Sequence, residues 1–237
     1  MRRLRPTDGT RLHQRAAYYH IAKCRTGTAP LHTKLRKEMT LLHAALKDKA
    51  RKVEDAEEKA LDTMADVDSA ETALENLIRD IDADLAKLDR SDPSLNAQST
   101  VFPEGFGEVI DPEGDAQLTV LPGLRVRLEA FKNYPAIAQD LTALQTAEDT
   151  FRAALLAEEE AEATVDELFA AEQGARQAIR EQLESAYGRL RDLYKSKPAL
   201  AEPFFLNEGS ASRPSKKDQP PADPPVAPNA GPDQKPA

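Results

Sequence analysis

Tryptophan is absent from the 237 residues, aromatic side chains make up only 5%, and Cys24 is the single cysteine. Each shortage excludes something. One cysteine cannot close a disulfide within the chain. Few aromatics, in a chain whose apolar content leans on Ala, cannot fill a thick globular core, because Ala buries little area. Long helices, which need only a narrow apolar seam, suit this inventory better. No stretch approaches the roughly 18–20 apolar residues that a membrane-spanning helix requires. Residues 2–5 are mostly basic, but "PTDGTRLHQR" follows instead of an apolar run, so no secretory leader is expected and the expected setting is the cytoplasm. P-loop, Gly-rich dinucleotide, nucleophile-elbow and His-Glu-x-x-His motifs are all missing. The chain therefore reads as non-enzymatic, with no cofactor implied.

The net charge of -9 is unevenly spread. Residues 1–52 carry 14 Lys/Arg against Asp8, Glu38 and Asp48, a local +11, so the remainder sums to -20. A basic arm of this kind raises nucleic acid as a partner. The basic residues lack interleaved stacking aromatics and no nucleic-acid motif accompanies them, so this reading ranks behind protein contacts.

Two long helical seams dominate the pattern. The first runs from Leu31 through Leu35, Met39, Leu42, Leu46, Val53, Met64, Val67, Leu74, Ile78, Ile81 and Leu85 to Leu88, with a period of about 3.56 and no Gly or Pro inside it. The second starts after Pro135 and runs from Ile137 through Leu141, Leu144, Phe151, Ile179, Leu183 and Leu190 to Leu193, with a period of about 3.5. Arms of equal length suggest an antiparallel, coiled-coil-like hairpin. One register sets Leu85 against Leu141, Ile81 against Leu144, Leu74 against Phe151, Ala56 against Phe169, Leu46 against Ile179, Leu42 against Leu183 and Leu35 against Leu190. Glu158 and Glu172 fall on the seam, opposite Val67 and Val53, where their side chains are expected to bend out to water.

The expected organisation is all-α. Residues 1–29 form a basic segment with a short helix over 8–25, whose Leu12, Ala16, Tyr19 and Ala22 share a face. Residues 30–90 and 135–197 are the long helices. Residues 91–134 form a tip insert, and 198–206, "PALAEPFFL", an apolar segment at the base of the hairpin. From 207 to 237 the chain is rich in Pro and Ala and reads as a disordered tail. In the tip, "EVIDPEGDAQLTV" suggests a β-hairpin, with Pro112 and Gly114 where a type I turn favours them. Residues 124–131 fit either a helix or a strand, and a helix is preferred. The layout of helix, β-hairpin, helix resembles prefoldin-type chaperone subunits in outline.

Candidate sites are few. His20 and Cys24 lie at i, i+4 on one helix face, but two ligands do not make a metal site. The acidic runs 54–68 and 157–167 face one another in the proposed register, with Glu58 near Glu167 and Asp66 near Glu159. They flank the seam and lack histidine partners, so no metal is expected. The tip offers Phe102, Phe106, Val109 and Ile110, either as a cap on the seam or as a partner-binding surface. The function that fits best is a helical scaffold or adaptor that self-associates. A membrane-active protein inserting its apolar tip, and a nucleic-acid binder using the basic arm, are the alternatives.

Overall fold

A computed structural model describes residues 3–207 of the chain. Met1 and Arg2 lie outside the described residues, as does the expected tail from 208 onward. Among the described residues the fold is all-helical. In chain order the elements are α1 (Thr10–Thr26), α2 (Pro30–Ser91), α3 (Ala97–Val101), α4 (Gly107–Ile110), α5 (Asp115–Glu129), α6 (Pro135–Leu193) and a 3-10 helix (Pro198–Phe204). Among the described residues no helix is long and apolar enough to cross a membrane.

The two long helices form because nothing interrupts them and because proline starts both. Pro30 and Pro135 occupy the first turns of α2 and α6, where the missing N–H costs nothing. At 62 and 59 residues, each spans roughly 90 Å. They lie side by side and run in opposite directions. His32 meets Tyr194 (3.1 Å), Arg189 donates to Glu38 (2.9 Å), and Lys49 donates to the Ala171 carbonyl (3.0 Å).

Burial is concentrated at the two ends of this pair. One cluster holds Leu74, Ile78, Ile81 and Leu85 of α2, Ile137, Leu144 and Phe151 of α6, and the apolar face of the tip. The other holds Leu35, Met39 and Leu46 of α2, Ile179, Leu183 and Leu190 of α6, and side chains of α1 and the 3-10 helix. Between the clusters the seam thins. Over 57–66 only Thr63 is buried, and over 152–171 only Ala161. Phe169, expected opposite Ala56 inside the seam, is 44% exposed and lies under the Arg176 guanidinium, 5.5 Å from its ring centre. Met64, also assigned to the seam, is exposed because Thr63 takes the inward place. Small residues let the backbones meet here but leave no room for large ones between them.

The tip corrects the expectation of a β-hairpin. Val109 and Ile110 lie in α4 and Leu118 to Leu121 in α5, and no strand occurs among the described residues. At "DPEG" the chain bends at Asp111 and Pro112, Gly114 takes φ +58 and gives its N–H to Glu71 of α2 instead of closing a turn on Asp111, and the chain continues as a helix. The reason is spacing: Gln117, Leu121, Leu124 and Leu128 are the buried residues of α5, recurring every three or four positions as one helix face does. Residues 124–129 belong to the same helix, which tolerates Pro122 inside it. Without strands, the outline resemblance to prefoldin-type subunits loses its distinguishing element.

The face of α1 also differs from expectation. His13, Ala16, Ala17, His20 and Cys24 are buried, not Leu12, Tyr19 and Ala22. Imidazoles can go inward here because each finds hydrogen-bond partners, and the alanines permit close approach.

The uneven burial predicts uneven mutational cost. Phe151→Ala should lower stability by about 3–5 kcal/mol, as for a fully buried Phe, whereas Leu61→Ala at the exposed waist should change it by no more than about 0.5 kcal/mol. Chemical denaturation of both variants measures the difference.

Candidate interaction surfaces at the tip, waist and base

At the tip, carboxylates of α2 hold the insert by its backbone. Asp89 accepts from the N–H groups of Ala97 (2.6 Å) and Gln98 (2.9 Å), satisfying donors at the start of α3. Asp82 accepts from the Gln98 side chain (2.8 Å), and Glu71 from the N–H of Gly114 (2.9 Å). Arg127 donates to the Val101 carbonyl (2.6 Å), and Gln117 to that of Val109 (3.3 Å). These clamps place the four tip candidates. Phe102 and Val109 are buried in the cluster, while Phe106 and Ile110 are half-buried at its margin. The structure brings all four into one cluster, with Phe102 and Val109 inside it and Phe106 and Ile110 packed against it.

A buried charge pair ties the tip to α6. Glu148 is 4% exposed and accepts from Arg125 of α5 and from Arg152 one turn along (2.8 Å). Sequence periodicity placed position 148 on the seam, but nothing in the sequence marked Arg125 as its partner. Three carboxylates of like charge sit near one another between α2 and α6. Asp140 faces Asp84 and Asp80 of α2, its Oδ2 is buried without a hydrogen-bond partner, and Lys87 is occupied by Asp84 at 2.5 Å. Burial first, and those two carboxylates second, push Asp140 up to about 6.

At the waist, large apolar side chains face outward. Leu61 is 67% exposed, and Met64, Leu156 and Phe169 are exposed with it. Ala60, Leu61, Met64 and Val165 line an open groove between α2 and α6, and Glu57, Glu158, Glu162 and Asp166 border it. Glu158 stands at this rim as expected. Glu172 does not bend out to water: it is 4% exposed, accepts from the Thr10 hydroxyl and lies 3.9 Å from Arg176. The thread linking α1 to the seam is thus a buried carboxylate.

At the base, three imidazoles join four chain segments. His13 of α1 donates from Nδ1 to the Gly9 carbonyl (3.0 Å), and its Nε2 receives Arg180 of α6 (3.1 Å). His20 lies 3.1 Å from the Phe204 carbonyl and stacks on Phe205. The Cys24 sulfur lies 3.5 Å from its other nitrogen. His32 accepts from the Ala29 N–H (3.1 Å), lies 3.1 Å from the Tyr194 hydroxyl, and stacks almost flat on Phe204. Burial holds all three histidines below the usual value and pushes the Cys24 thiol up to about 11. The His20–Cys24 pair is therefore a structural contact between a neutral ring and a thiol. Among the described residues no group of three or more His, Cys, Asp or Glu is disposed to hold a metal ion.

No protein-family model, no curated protein and no solved structure matches the chain. Its reading rests on its own geometry.

Two measurements test the tip's electrostatics. Arg125→Ala leaves Glu148 short of a partner and should cost about 1–3 kcal/mol by denaturation. Asp140→Asn should stabilise the fold near neutral pH. Because the Asp140 pKa is raised on folding, its contribution to stability is full below its ordinary range and lost as pH rises through about 6. The gain in melting temperature should thus be present at about pH 8 and gone by about pH 4.

Proposed function

We propose that this protein is a non-enzymatic helical scaffold that assembles with copies of itself through contacts between rods. The observation that carries this reading is the waist, where Leu61 and Met64 stand exposed in an open groove and Phe169 is exposed further along the rod. An apolar band of this kind on an otherwise charged surface is a docking feature. Its rim is acidic, so two waists repel one another. The base offers the complementary sign: Arg11, Arg15 and Arg25 are exposed on α1, with Tyr18 63% exposed among them. A staggered arrangement, base of one rod against waist of the next, satisfies both charge and apolar contact. Such a contact is heterologous and repeats along a filament or ring.

The inward-facing Phe102 and Val109 favour this reading over insertion of the tip into a bilayer. Polar groups support the non-enzymatic part, because His13, His20, His32, Glu148 and Glu172 are used in bonds between segments.

Sedimentation velocity tests the proposal. At micromolar concentration and low salt the full chain should associate, and association should weaken as salt rises. Leu61→Gln with Met64→Gln, both at the surface of the groove, should leave helicity unchanged and yield a monomer. A wild-type monomer at low salt overturns the reading. Salt-sensitive retention on DNA without self-association would instead point to the basic arm as a nucleic-acid surface.

A further inference from the structure

The base holds a second device, independent of self-association. Hydrogen-bond logic alone fixes the protonation of two of its histidines. A guanidinium only donates, so His13 Nε2, 3.1 Å from Arg180, must be an unprotonated acceptor, and the proton on Nδ1 goes to the Gly9 carbonyl. A backbone N–H likewise only donates, so His32 Nδ1, 3.1 Å from the Ala29 nitrogen, is unprotonated, and Nε2 carries the proton toward the Tyr194 hydroxyl. His32 is also fitted closely to its place. A Cβ at Gly27 would lie 2.3 Å from its ring, so only glycine admits it there. These rings link α1 to α6, and the start of α2 to α6 and to the 3-10 helix through Phe204.

We propose that the base of the rod is an acid-released latch, in which neutral His13 and His32 hold α1 and the 3-10 helix onto the long-helix pair and protonation frees both segments. A proton added to His13 Nε2 meets the Arg180 N–H, donor against donor and cation against cation. One added to His32 Nδ1 meets the Ala29 N–H, donor against donor.

The groups around these rings decide the balance. His13 faces Arg180 and Arg176 of α6, with Asp8 as the opposing charge ahead of α1. On the other side of Thr10, Glu172 is occupied by the Thr10 hydroxyl and Arg176. His32 faces Tyr194, which follows the last residue of α6, and, across the interface, His20 of α1. His20 keeps its bond to the Phe204 carbonyl when charged, but then sets a second cation beside His32. The Phe204 ring returns part of the cost by stacking on an imidazolium, yet leaves the Ala29 N–H without an acceptor. The sign follows from linkage. Histidines whose pKa is lowered by burial contribute stability that is present above about 6.5 and lost as pH falls through their folded-state values.

Released segments would uncover Leu35, Met39, Ile179 and Leu183, the apolar residues that α1 and the 3-10 helix now cover.

Hydrogen–deuterium exchange on the full chain, corrected for intrinsic rate, tests the latch between about pH 7.5 and about pH 5.5. Residues 10–26 and 198–205 should lose protection by about tenfold or more on acidification, while 74–88 and 137–151 retain theirs. The double variant His13→Gln, His32→Asn supplies a side-chain oxygen at each acceptor position with nothing to titrate, and should stay protected at the lower pH. His43→Gln should release like the wild type. Undiminished protection of the wild-type base, equal release in the double variant, or a latch abolished by His43→Gln overturns the proposal. Should the double variant fail to fold at the higher pH, NMR titration of the wild-type imidazoles decides. Titration of His13 and His32 coincident with release supports the latch, and release while both remain neutral overturns it.

Discussion

Two helices lying side by side bury only the stripe along which they touch, and everything else in this fold answers that constraint. A two-helix contact leaves the flanks of each stripe wet, so the pair alone cannot hide side chains as large as Phe151, Leu35 or Met39. At each end extra chain is wrapped around the pair. α3, α4 and α5 cover one end, and α1 with the 3-10 helix covers the other. Where no third element arrives, only residues as small as Thr63 and Ala161 are buried. The distribution of large side chains along the helices therefore follows from where help is available.

The two covers are fastened by different chemistry. Carboxylates of α2, Asp89, Asp82 and Glu71, hold the tip through N–H donors, and a buried Arg125–Glu148 pair ties it to α6. Imidazoles hold the base, accepting from Arg180 and Ala29. Adding protons weakens both fastenings, by neutralising the carboxylates at one end and charging the imidazoles at the other, and only Asp140 runs the other way. As acid is added, it relieves the repulsion of Asp140 with Asp84 at one end while it loads charge onto His13 and His32 at the other.

Much of the architecture was legible in the sequence because a helical period is a local signal. The seams from Leu31 and from Ile137 needed only the spacing of apolar residues. The tip was harder, since Pro112 and Gly114 suggest a type I turn, whereas Gly114 gives its N–H to Glu71, a partner distant in sequence, and a helix follows. The decisive pattern was the spacing of Gln117, Leu121, Leu124 and Leu128, and a polar residue at its start obscured it. α1 was misread for a related reason. His13 and His20 are polar by composition and apolar in use, because partners distant in sequence, Arg180 and the Phe204 carbonyl, satisfy them. The same distance hid Arg125 behind Glu148. Phe102, Phe106, Val109 and Ile110 do share one cluster, a grouping that their closeness in sequence suggested.

The thin waist has a mechanical consequence. A rod bends where its cross-section is smallest, and between the two clusters the section is two bare helices joined by small side chains. Thermal bending should collect there, with each thickened end moving as a stiff body. The groove at Leu61 and Met64 then lies at the flexure itself, so anything seated in it would act as a splint and set the angle between the two ends.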